Sequence, residues 1–140
     1  MSTLILELKQ NEMLILNGVP MRFCNRVRLE ILAHARFLFG KQIMEPGTDN
    51  TPARRIYYAV QTAYIGTDAE RPPARAAAQR LCDEFAQATT SRTVVHILTT
   101  VMQAVEQDRC YEALKLVARV MRHEEAVLNA RPSVAEQDAA

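Results

Sequence analysis

From Thr3 to about Met44 the apolar residues fall in short alternating runs: Thr3 to Leu8, Met13 to Leu16, Val19 to Phe23, Val27 to Leu32 and Arg36 to Phe39. Each run is rich in Leu, Ile, Val or Phe, and a period near two predicts strands. In the fourth, Val27, Leu29 and Ile31 point one way and Arg28 and Glu30 the other, as a sheet with one wet face demands. Asn17-Gly18 predicts a two-residue hairpin, because both residues accept the positive φ of a type I′ turn. Pro20 cannot donate a ladder hydrogen bond, so the third strand belongs at an edge or begins irregularly. An exposed edge there also allows a strand-mediated homo-oligomer.

After the loop Glu45-Pro46-Gly47-Thr48-Asp49-Asn50 the period changes from two to 3.6. Thr51 caps a first helix and Pro52 suits its first turn. Pro72-Pro73 opens a second helix, preceded by Thr67 or Asp68 as the closing residue of the loop, with Ala74, Ala77, Ala78, Leu81, Cys82 and Phe85 on one face. A third, about Thr93 to Glu106, gathers Val94, Ile97, Leu98, Val101, Met102 and Val105 and leaves His96, Thr99 and Gln103 outside. A fourth, about Arg109 to Leu128, stacks Ala113, Leu114, Leu116, Val117, Val120, Met121, Val127 and Leu128. The expected fold is α+β: a small N-terminal antiparallel β-sheet followed by about four amphipathic α-helices. One domain is expected over 1–130, β-rich over 1–45 and helical over 51–129, with a flexible tail over 131–140. Glu124 falls on the apolar arc of the last helix and needs a partner. Either the helix has left the core by then, or Glu124 pairs with an arginine, or this helix end meets another protein.

Advancing about 100° per residue along the first helix puts Ala53, Ile56, Tyr57, Val60, Ala63 and Tyr64 on a core arc, and Arg54, Arg55, Tyr58, Gln61 and Thr62 on a solvent arc. Two guanidiniums beside a ring can hold a phosphate and stack a base, and they also suit an ordinary solvated helix. The net charge of +1 exerts no global pull on nucleic acid. From Pro20 to Ile65, however, the seven cations Arg22, Arg26, Arg28, Arg36, Lys41, Arg54 and Arg55 outnumber the three acids Glu30, Glu45 and Asp49. The three cysteines Cys24, Cys82 and Cys110 form no CxxC pair and read as reduced. Glu7 and Lys9 interrupt the opening apolar run, so neither a signal peptide nor a membrane span is expected, and the location is cytoplasmic.

Asn50-Thr51-Pro52-Ala53-Arg54-Arg55-Ile56-Tyr57-Tyr58-Ala59-Val60-Gln61 resembles the signature of the FlbT family, regulators of flagellum biosynthesis that act after transcription. The matching motif positions are Asn50, Thr51, Pro52, Ala53, Arg55, Tyr57 and Gln61. Leu8-Lys9-Gln10-Asn11-Glu12 followed by Leu14-Ile15-Leu16-Asn17-Gly18 is similar to the family's opening turn and hairpin, and Tyr111-Glu112-Ala113-Leu114-Lys115 resembles its closing segment. The resemblance implies association with the 5′ untranslated region of a flagellin mRNA, with promotion of its decay or altered translation, and a functional link to FlaF and flagellin.

No catalytic constellation is visible. His34, His96 and His123 lie on different elements, there is no HExxH, and the glycines at 18, 40, 47 and 66 make no phosphate loop. No enzyme activity, cofactor or metal is expected. Two function classes remain. One is an RNA-binding regulator using Arg22, Arg26, Arg28, Arg36, Lys41, Arg54, Arg55 and Tyr58. The other is a protein-interaction module whose apolar helical stripes receive a helix of FlaF or flagellin, affecting the message indirectly.

Overall fold

The computed structural model describes residues 4–130. The expected start at Thr3 and the tail at 131–140 lie outside the described residues. The strands divide into two small antiparallel sheets. β1 (Leu4–Leu8) pairs with β4 (Val27–Ile31), while β2 (Met13–Leu16) runs between β3 (Val19–Arg22) and β5 (Phe37–Phe39). Asn17 and Gly18 have φ of 49° and 84°, the positive pair that the β2–β3 turn requires. β3, with its Pro20, is an edge strand.

Alternation then decides which face meets what. Leu6 and Leu8 of β1 pack with Leu14 of β2 into one apolar cluster, joined by Leu16, Val27, Leu29, Phe37 and Phe39. On the opposite face of the three-stranded sheet, Ile15 sits across from Leu38, and both pack into the helical core. The β2–β5 part of the three-stranded sheet is therefore covered on both sides, while Val19, Pro20 and Arg22 of β3 stay exposed. The β1–β4 sheet keeps a wet face, where Glu7 lies opposite Arg28.

A short 3-10 turn, Gly40–Gln42, leads through the loop to α1 (Pro52–Ile65), α2 (Arg71–Ala88), α3 (Arg92–Glu106) and α4 (Cys110–Ala130). Thr67 closes the loop before α2: its hydroxyl accepts from the Glu70 N–H at 3.3 Å, while the Glu70 carboxylate accepts from the Thr67 N–H at 2.9 Å. Ser91 caps α3 through the Val94 N–H. Ile56, Val60, Leu98, Val101, Val117 and Val120 are fully buried at the centre of the helical core. Val127 and Leu128 depart from the expected stripe: they are 50% and 51% exposed, because the end of α4 runs past the elements it packs on.

Candidate functional site

The start of α1 shows how much of the Asn50–Gln61 segment the fold itself consumes. Pro52 has no N–H to satisfy. The Ala53 N–H donates to Glu124 Oε2 at 3.0 Å, the Arg54 N–H to Thr51 Oγ1 at 3.2 Å, and the Arg55 N–H to the Thr51 carbonyl at 2.9 Å. Every donor of the first turn is thereby matched. Glu124 finds its partner in a helix N-terminus rather than in an arginine, and a carboxylate there also meets the positive end of the helix dipole. Arg54 Nε donates to the Thr48 carbonyl at 2.8 Å, so this guanidinium clasps the preceding loop.

Gln61 corrects the expected solvent arc. It is 4% exposed, accepts from the Met44 N–H at 2.7 Å and donates to the Met44 carbonyl at 2.9 Å. A helical wheel treats an amide as polar and places it outside, but here the amide seals a buried loop backbone that has no strand partner. Tyr57 is half-buried and its hydroxyl donates to the Gln42 carbonyl at 2.6 Å. Burial pushes its phenol upward, with the neighbouring Tyr111 adding to the shift.

Arg55 and Tyr58 remain, with no side-chain hydrogen bond or ion pair among the described residues. Both border an open cleft of about 830 Å³ between α1 and α2, which Asp49, Arg80 and Glu84 also line. Tyr58 also borders a cleft of about 650 Å³ between α1 and the sheet edge, which Arg22 of β3, Glu45 and Glu70 line as well. Tyr58 thus stands between two open clefts, one bordered by Arg22 and the other by Arg55. The structure sends the other expected residues elsewhere. Arg36 donates to the Asp108 carboxylate at 2.5 Å and to the Tyr64 carbonyl at 3.3 Å. Asp108 also holds Arg75, at 2.6 Å, so one carboxylate joins the segment before β5, α2 and the turn between α3 and α4. Arg28 projects from the wet face of β4, Arg26 lies in the turn before it, and Lys41 is exposed in the 3-10 turn. Asn50 is exposed at the end of the loop.

Sequence reasoning missed an aromatic pair. Tyr64 of α1 and Tyr111 of α4 stack with centroids 5.9 Å apart and planes 15° apart. The helical arc assigns Tyr64 to the core, and spacing gives no signal that Tyr111 meets it. Among the described residues no group of three or more His, Cys, Asp or Glu could hold a metal. Cys82 and Cys110 are buried and Cys24 is exposed, all as free thiols. Burial, and then Asp83, push the Cys82 thiol up to about 12. No helix among the described residues is long and apolar enough to cross a membrane.

The sequence model described as "Flagellar protein FlbT" matches residues 4–128, nearly the whole described chain. The chain belongs to the FlbT family. It is 30% identical over 129 residues to a "Probable flagellum biosynthesis repressor protein FlbT" of Brucella abortus (strain S19), covering 92% of this chain and 84% of that one. A protein of the same name from Chelativorans sp. (strain BNC1) is 28% identical over 132 residues, covering 92% and 88%. No solved structure matches. FlbT membership and these relatives support a regulatory role in flagellum synthesis, and the names describe a regulator rather than an enzyme.

Proposed function

We propose that this FlbT-family chain acts in the cytoplasm as a post-transcriptional regulator of flagellum synthesis, binding the 5′ untranslated region of a flagellin mRNA and promoting its decay or altering its translation. One observation carries the reading. Once the fold has used Thr51, Pro52, Ala53, Arg54, Ile56, Tyr57, Val60 and Gln61, the residues of the segment left at the open clefts are a guanidinium and a ring, Arg55 and Tyr58, with Arg22 lining the cleft on the sheet side of Tyr58. A planar cation and an aromatic face are what a looped RNA strand uses, one for phosphate and one for an unstacked base.

The test is a titration of the purified protein against the flagellin leader and an unrelated leader of equal length at two salt concentrations, with FlaF present or absent. Specific binding that weakens with salt is expected, and Tyr58→Ala should reduce it by roughly 1 to 3 kcal/mol. Equal binding to both leaders, or none to either, would refute direct recognition. A second reading, docking of FlaF or flagellin, is favoured by the apolar end of α4, where Val127 and Leu128 stand half-exposed. Leader-specific association seen only with FlaF would support it.

A further inference from the structure

The closing segment Tyr111-Glu112-Ala113-Leu114-Lys115 contains two residues that the core does not need, since Tyr111 and Lys115 are both exposed on the first turns of α4. They meet each other: Lys115 Nζ lies 4.8 Å from the centre of the Tyr111 ring. Tyr64 stacks on that ring with centroids 5.9 Å apart, and the Arg36 guanidinium lies 5.8 Å from the centre of Tyr64. The result is a chain of contacts from cation to ring to ring to cation. Its middle is held in place, because the Tyr111 hydroxyl accepts from Gln42 Nε2 at 3.3 Å and Arg36 is fixed by Asp108. Its outer end is free, because Lys115 makes no ion pair among the described residues. Tyr111 also borders a cleft of about 790 Å³ running to the open end of the β1–β4 sheet, where Leu4 and Leu32 are 47% and 66% exposed beside Phe37 and Phe39.

We infer that Tyr111 is a base-stacking site for single-stranded RNA, with Lys115 moving from the ring to a phosphate when a base takes its place. The inference rests on the RNA-binding reading above and adds a second contact surface to it. Relative strengths favour the exchange. An exposed cation over a ring is worth only about twofold to fivefold in an equilibrium constant. A base stacked on an aromatic side chain is worth roughly fivefold to a hundredfold, and the released ammonium gains a phosphate partner as well. Tyr64, stacked beneath, keeps Tyr111 from turning away, so little freedom is lost on binding. The apolar cleft next to the ring gives an adjacent base somewhere to lie out of water.

The test measures leader affinity and its salt dependence for the wild-type protein and for Tyr111→Leu, Tyr111→Phe and Lys115→Ala. Tyr111→Leu should weaken binding about fivefold to a hundredfold, whereas Tyr111→Phe, which keeps the ring, should restore nearly all of it. Lys115→Ala should weaken binding and lower the salt slope by about 0.7, one contact to a single strand. In parallel, RNA carrying 5-iodouracil should photocrosslink to Tyr111 in the wild-type protein. Wild-type binding with unchanged affinity and slope in Lys115→Ala, and no crosslink at Tyr111, overturns the stacking site while leaving the RNA-binding reading intact. This outcome is decisive even if Tyr111→Leu does not fold, because Lys115 is a surface residue. Failure of the wild-type protein to bind either leader overturns both.

Discussion

Replacing Gln61 by leucine keeps the size of the side chain and removes its two bonds to Met44. Met44 is 8% exposed and Gln61 4%, so neither the Met44 N–H nor its carbonyl regains water when the amide is gone. Each orphaned buried group costs about 1 to 3 kcal/mol, and the apolar replacement returns roughly 1 kcal/mol. The net loss should be about 1 to 5 kcal/mol, a large share of the stability of an ordinary domain. With a urea slope of about 2 kcal/mol per molar, the midpoint should fall by roughly 0.5 to 2.5 M. Urea unfolding followed by circular dichroism measures this, and hydrogen exchange at the Met44 amide shows whether the loss is local, since that amide should lose its protection. A midpoint lowered by less than about 0.25 M, with the Met44 amide still protected, would show that the loop is held by something else and that the corrected placement of Gln61 carries no energy.

Glu124→Ala should cost about 1 to 2 kcal/mol in thermal melting by leaving the Ala53 N–H without its acceptor, and Glu124→Gln less, because its amide oxygen can still accept; equal losses would point to charge alone. With Ellman's reagent, Cys24 should react quickly and Cys82 and Cys110 only on unfolding, so rapid reaction of all three would contradict the packing. Stability should also fall with rising alkalinity. Cys82 is pushed from its ordinary 9 up to about 12, so between those values the unfolded chain loses a proton that the folded chain keeps, and the urea midpoint should hold below pH 9 and decline above it. Burial raises Tyr57, Tyr64 and Cys110 in the same direction, and a flat profile to pH 12 would refute this account.

Local chemistry made much of the molecule legible. The Asn17-Gly18 turn, the Thr51-Pro52 start, the closing of the loop before α2 at Thr67 and the stripes of α2 and α3 rest on spacing and residue type alone, and each stands as expected. What spacing could not supply was which distant element meets which. β1 turns away from its neighbour β2 to pair with β4, so five strands become two sheets, a choice governed by long-range register. Gln61 and Glu124 defeat a wheel for the same reason, since their partners are backbone groups of another segment. Of the expected surface, Arg55 and Tyr58 were legible as one helix face. The loss of Arg54 to the Thr48 carbonyl and of Arg36 to Asp108, and the meeting of Tyr64 with Tyr111, depend on tertiary placement.

The bond from Glu124 to Ala53 also bears on synthesis. On the ribosome the first helix emerges long before the residue that completes its N-terminal turn. α4 also supplies Val117 and Val120, two fully buried members of the core, so a polypeptide arrested short of it leaves apolar surface uncovered. Such a fragment presents greasy surface to proteases instead of a finished regulator. Only a chain translated past its last helix can close the core around Val117 and Val120.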